Sequence, residues 1–152
     1  MYIGAMNATY LEHATRLHKA LGHPARLRIV AMLSGGELCV CQITAVLGLA
    51  PSTVSQHLSD LKRAGLIAER KEGRWVHYAL QDSPEVREIV ATAGPRLAGD
   101  PVAAADAAVL WQLRRVPVKE LCRVDLDLTR LAISRPVGAK SKVGHRWGRA
   151  KE

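Results

Sequence analysis

Residues 37–80 read ELCVCQITAVLGLAPSTVSQHLSDLKRAGLIAERKEGRWVHYAL, and the division of this stretch decides the fold. Ile43, Val46 and Leu47 are apolar at helical spacing, so residues 43–49 form a short helix that Gly48 closes. Pro51 and Ser52 open a second helix, the proline tolerated in a first turn and the serine able to cap. Val54, Leu58 and Leu61 fall at i, i+4 and i+7 and make its buried stripe. Thr53, Ser55, Gln56, Ser59 and Lys62 are left on or near the open side, and Ala64-Gly65 ends the helix. Residues 66–71 and 74–80 are strand-like and meet at Glu72-Gly73, with Arg70, Lys71 and Arg74 around the tip.

A helix, a glycine-containing turn and a second helix with small polar residues at its start make a helix-turn-helix pattern. Its second helix can enter a DNA major groove. The hairpin behind it would be the wing of a winged helix, placed to reach a phosphate backbone or a minor groove.

The run resembles the ArsR/SmtB family of metal-sensing bacterial repressors. The residues that carry the resemblance are ALGHPARLRIV at 20–30, ELCVC at 37–41, TVSQHL at 53–58, LKRAGLI at 61–67 and RKEGRWVHY at 70–78. They cover the first two-thirds of the chain. The Cys-Val-Cys directly before the motif's first helix resembles the arsenite-responsive branch. The resemblance implies a dimer, formed by packing the first helix and the helix after the wing across a two-fold axis. It also implies a palindromic DNA site with half-sites about 34 Å apart.

Composition sets the bounds. At 152 residues the chain is one domain with an appendage. It has no phenylalanine and few aromatics, so its core is aliphatic. The net charge of +8 suits a polyanionic partner, although residues 133–152 hold +5 of it and the rest of the chain only +3. Three cysteines do not read as a disulfide framework. Charges and histidines stand in residues 1–23 where a secretory signal would be apolar, and no run is long enough to span a bilayer. The expected setting is a reduced cytoplasm with thiols free to bind metal.

Outward from the motif, Tyr10, Ala14, Leu17 and Leu21 mark an amphipathic helix that Gly22 ends. His23-Pro24 starts the next, with Leu27, Val30 and Ala31 inward; the resembled family commonly has aspartate where His23 stands. Asp82-Ser83-Pro84 begins a helix with Val86, Ile89, Val90 and Ala93 on its apolar face, and Gly94-Pro95 is expected to break or kink it. Asp100-Pro101 starts another, carrying Val102, Ala105, Val109 and Leu113. Pro117 interrupts the pattern, and Leu121, Val124, Leu128 and Leu131 resume it. Residues 136–152 are glycine-rich and basic with no apolar stripe, the composition of a disordered tail. The expected division is 9–98 for DNA binding and dimerisation, 99–132 for a helical extension, and 133–152 for the basic tail.

Ser52, Thr53, Ser55 and Gln56 are the candidate base readers, Gln56 able to address adenine in a bidentate way. Ser52 serves equally well as a cap. His57 lies at the edge of the apolar stripe, and the resemblance suggests that it positions the helix. Arg70, Lys71 and Arg74 are candidates for phosphate contact, which positions without specifying.

Cys39 and Cys41 are the candidate sensing ligands, since thiolates suit soft, thiophilic ions and a helix N-terminus favours the thiolate. Residues i and i+2 of a regular helix point about 200° apart. The pair can converge on one ion only if Cys39 stays outside the helix or the first turn distorts. Ligation would then pull the supporting helix out of its DNA-compatible geometry. Arsenite repressors resembling this chain often add a third cysteine where Thr44 stands, which leaves Cys122 as the candidate third sulfur. The bland reading of Cys122 is a small core residue. Cadmium and lead sensors of the family take further cysteines from an N-terminal arm, and residues 1–21 have none. Zinc sensors use histidine on the helix after the wing, which has none here.

The expected protein is mainly α with a small β-hairpin, a dimeric winged helix-turn-helix with extra C-terminal helices. It is a homodimeric repressor of double-stranded operator DNA with arsenite or antimonite as inducer. It needs no organic cofactor, has no membrane partner and is not an enzyme. The alternatives are a cadmium-, lead-, zinc- or thiol-redox-responsive repressor, or a winged-helix protein-interaction module.

Overall fold

A computed structural model describes residues 8–136. The chain runs α1 (Tyr10–Leu21), α2 (Pro24–Leu33), β1 (Leu38–Cys39), α3 (Val40–Leu47), α4 (Pro51–Arg63), β2 (Ile67–Glu72), β3 (Trp75–Leu80), α5 (Pro84–Ala98), α6 (Pro101–Leu113) and α7 (Val118–Arg123), then a 3-10 turn (Leu128–Leu131). It is a winged helix-turn-helix with a helical extension, as the periodicity implies. None of the described helices is long and apolar enough to cross a membrane.

Local chemistry starts and stops these elements. Thr9 and Glu12 exchange side-chain and backbone hydrogen bonds at the start of α1, satisfying donors that the helix itself leaves orphaned. His23 does the capping expected of an aspartate, its Nδ1 accepting from the Ala25 N–H at 3.1 Å. Gly48 takes φ 65° between α3 and α4, a left-handed conformation that an L side chain resists. At α4 the cap position belongs to Ala50, so Ser52 lies inside the first turn and is not the cap.

The core is aliphatic. Ile29 from α2, Ile43 from α3, Val54, Leu58 and Leu61 from α4, and Leu66 beside the wing are almost fully buried. Each such side chain contributes about 1.5–3 kcal/mol relative to exposure. Together they seat α4 with its polar face outward.

Four details depart from the sequence reading. First, β1 turns the hairpin into a three-stranded antiparallel sheet of order β1-β3-β2, with Leu38 opposite Tyr78 and Cys39 opposite His77. Second, the wing turns at Gly73-Arg74 and not at Glu72-Gly73, since Glu72 pairs with Trp75. Third, α5 is not broken at Gly94-Pro95 but runs on to Ala98. Pro95 and Ala91 are both exposed, so the carbonyl that the proline leaves without a partner can take water. Fourth, the packed chain passes residue 132, because Ile133 enters the core and Arg135 pairs with Asp106. The rest of the expected tail, 137–152, lies outside the described residues.

The extension folds back over α2 and α3. Asp106 of α6, 2% exposed, takes two hydrogen bonds from Arg28 of α2, Nε and Nη2 each at 2.8 Å. Arg135 adds a third cation contact at 2.7 Å. Leu113 and Leu121 seal the same side, and α7 comes to rest against α3.

Candidate DNA-reading face and thiol cluster

The buried stripe of α4 leaves Ser52, Thr53, Ser55 and Gln56 exposed on one continuous face. Gln56 donates to Asp60 Oδ1 at 3.2 Å, one turn along. His57 is turned inward, its ring centroid 4.4 Å from that of His23 and its Nδ1 3.4 Å from Arg26 Nη1. Arg26 also reaches Asp60 at 3.4 Å. Burial lowers the pKa of both histidines, and the charge of Arg26 acts in the same direction on each. His57 therefore sits in the seat of α4, away from the open face.

The wing is tied to this helix by Lys62, whose Nζ stands 2.9 Å from Glu69 Oε1. The three basic residues of the wing behave differently. Lys71 and Arg74 are exposed, with the Arg74 guanidinium 4.9 Å above the Trp75 ring. Arg70 is turned onto carboxylates. It donates to both oxygens of Glu37, at 2.6 and 3.2 Å, and to Glu72 at 3.1 Å.

The sequence left Cys39 and Cys41 facing apart unless Cys39 stayed outside the helix. The structure places Cys39 there, in extended backbone on β1 and in the N-cap position of α3, with Cys41 in the first turn. The Cys39 N–H donates to Gln42 Oε1 at 2.9 Å, which holds this helix entry. The Cys41 and Cys122 Sγ atoms are 3.1 Å apart, so α7 brings the third thiol to the pair within one chain.

Electrostatics differ along the row of thiols. A hydrogen bond with Cys41 pulls the Cys39 thiol down from its ordinary 9.0 to about 6, against the effect of burial and helped by the charge of His77. The same bond pushes the Cys41 thiol up, reinforced by burial and by Cys122. Among the described residues, no three His, Cys, Asp or Glu side chains form a group spaced to hold a metal ion. Cys41 interacts with both of the other thiols, which leaves Cys39 and Cys122 as the ends of the row.

Sequence reasoning missed β1, the role of Gln42, the Glu37–Arg70 contact and the Arg28–Asp106 pair. Asp106 did leave a trace, as a lone acid within AAADAAV at 103–109. The others left none, because a two-residue strand has no periodicity and the ion pair spans 33 positions.

Residues 23–69 match the family model described as "Bacterial regulatory protein, arsR family". The uncharacterized HTH-type transcriptional regulator MJ1325 of Methanocaldococcus jannaschii is 42% identical over 80 residues, 52% of this chain and 89% of that one. The arsenical resistance operon repressor of Escherichia coli is 44% identical over 72 residues, 47% of this chain and 60% of its own length. HlyU from Vibrio cholerae superposes with a TM-score of 0.53 at 38% identity, covering 55% of this chain and 90% of that structure. With the exposed face of α4, the wing and these likenesses together, the chain belongs to the arsR family of bacterial regulatory proteins, which are DNA-binding transcriptional regulators and not enzymes.

Proposed function

We propose that this chain is a homodimeric cytoplasmic repressor that leaves its operator when trivalent arsenic or antimony binds Cys39, Cys41 and Cys122. The observation that carries the reading is the 3.1 Å contact between Cys41 and Cys122. It supplies from α7 the sulfur that is missing at Thr44, and makes a soft donor set suited to a thiophilic ion. Three thiols condensing with arsenous acid form three As–S bonds and release three waters. Capturing one ion requires the outer thiols, Cys39 and Cys122, to approach each other. That movement draws Cys39 away from β3 and shifts the start of α3, the helix that supports α4. The ion therefore favours the form less able to bind DNA, which is the condition for release.

Ser52, Thr53, Ser55 and Gln56 read base edges, Lys71 and Arg74 contact phosphate, and His57 positions α4. The second copy covers α1 and α5. In one chain α5 fully buries only Val86, Tyr10 and Leu11 are about three-quarters exposed, and a groove of about 350 Å³ runs between the two helices. Apolar surface of this kind marks an interface.

The test is fluorescence anisotropy of labelled DNA from upstream of the gene, titrated with reduced protein at fixed salt, with and without arsenite. Wild type should weaken by about 5- to 150-fold with arsenite. Cys39→Ser should stay bound, and Cys122→Ser should need more arsenite for the same release. Tight binding that ignores arsenite would sink the metalloid reading and pass the test to cadmium.

The Cys41–Cys122 contact also favours a second reading, a redox sensor. A peroxide would take two electrons from the two thiols, leaving a disulfide, an alcohol and water. Release by peroxide but not by arsenite selects it.

A further inference from the structure

Cys39, His77 and Arg70 stand side by side across the sheet. Cys39 of β1 pairs with His77 of β3, and His77 pairs with Arg70 of β2. Directly opposed residues of antiparallel strands share a face, as do residues two apart along a strand. Glu37, two before Cys39, and Glu72, two after Arg70, therefore flank this row. The contacts agree: Arg70 bridges the width of the sheet to Glu37 and also holds Glu72, while His77 lies between, 3.9 Å from Glu37 and 3.6 Å from Glu72. The sensing strand and the wing are thus tied twice, by the β1–β3 ladder and by an ion pair that passes over it.

Resting on the sensor reading above, we propose that Glu37 and Arg70 are positioning residues that couple occupation of Cys39 to the wing, by strapping β1 to β2 in the DNA-competent form. An ion that draws Cys39 towards Cys41 and Cys122 moves β1 away from β3. The same displacement stretches the Glu37–Arg70 contact, which also ties β1 to the wing. The strap then stabilises the DNA-competent form alone and opposes ion binding. This route to DNA is separate from the one through α3 and α4, and it ends at the wing.

A strap of this kind has a signature that plain electrostatics does not. Removing either end relieves the opposition, so both Glu37→Gln and Arg70→Gln should bind arsenite more tightly. A charge acting directly on the thiols would move the two variants in opposite directions, because one substitution removes a negative charge and the other a positive one. Calorimetric titration of the reduced full-length protein with arsenite, without DNA, reads this directly. Each variant should tighten by about 2- to 5-fold, the range for a partly exposed ion pair. The double variant should gain no more than either single, since one interaction is lost in all three. Shifts of opposite sign, or no shift in either variant, overturn the strap. Failure of the sensor reading shows separately, as wild type that takes up no arsenite, and it overturns the strap as well.

Discussion

The DNA-reading unit and the C-terminal extension are held in different ways. Helices α3 and α4 rest on side chains such as Ile43, Val54 and Leu61, all wholly buried, and the turn between them depends on one left-handed glycine. The extension has an apolar seam too, at Val109, Leu113 and Leu121, but its register depends on polar chemistry: the buried Arg28–Asp106–Arg135 group and the Cys41–Cys122 contact. Its backbone is also less comfortable. Asp125 and Leu126, just past α7, both take positive φ, at 53° and 61°. Each non-glycine residue held this way costs about 1–2 kcal/mol. The reading unit is built from tolerant apolar packing, and the extension from a few contacts that fail if one partner is removed.

Removing one such partner should have the largest effect. Asp106→Ala leaves Arg28 buried without its carboxylate, where one of its nitrogens, Nη1, already has no partner among the described residues. A loss of about 3–5 kcal/mol is expected in denaturant unfolding. Replacing both residues, as Arg28→Met with Asp106→Leu, should recover part of that loss, because two buried charges leave together while the partly exposed Arg135 loses its contact with Asp106. A single substitution that costs less than about 0.5 kcal/mol would erase the contrast between the two regions.

The reading unit should respond less. Gly48→Ala adds a Cβ that meets nothing within 4 Å among the described residues, so the backbone conformation is what opposes it. The expected cost is about 1–2 kcal/mol by thermal or denaturant unfolding. A larger loss would mean that the turn is as intolerant as the extension.

The smallest effect is expected from pH. His23 and His57, whose tilted rings meet where α4 is seated, both have folded pKa values below the ordinary 6.5. The unfolded chain therefore binds more protons in this range, and acidification favours unfolding. Their contribution is complete above about pH 6.5 and is lost as the pH falls below it. Unfolding curves collected across that range should show stability declining towards acid, with a flatter decline in His57→Gln. A steeper decline in that variant would place the titrating groups elsewhere.

Residues that recur with a period were legible and residues that act alone were not. Val54, Leu58 and Leu61 announce a helix with one buried face, and so they also announce Ser55 and Gln56 on the open one. The glycines at 48 and 73 mark turns by their backbone freedom. Asp106 carries no periodic signal, and its partner lies 78 positions away. The basic residues at 70, 71 and 74 look equivalent in the sequence. Only the sheet separates Arg70, whose guanidinium crosses it to Glu37, from Lys71 and Arg74.

The sequence by itself determined the class of fold, the face of α4 turned outward and the family, because periodicity, turn chemistry and local motifs are properties of neighbours in the chain. It also raised the question of Cys39 and Cys41, since two residues at i and i+2 cannot share one ion within a regular helix. The answer belongs to tertiary structure. A third strand holds Cys39 outside the helix, and the fold-back of α7 sets Cys122 against Cys41 across 81 positions of sequence. Contacts over such distances arise from how elements pack, and no local pattern records them.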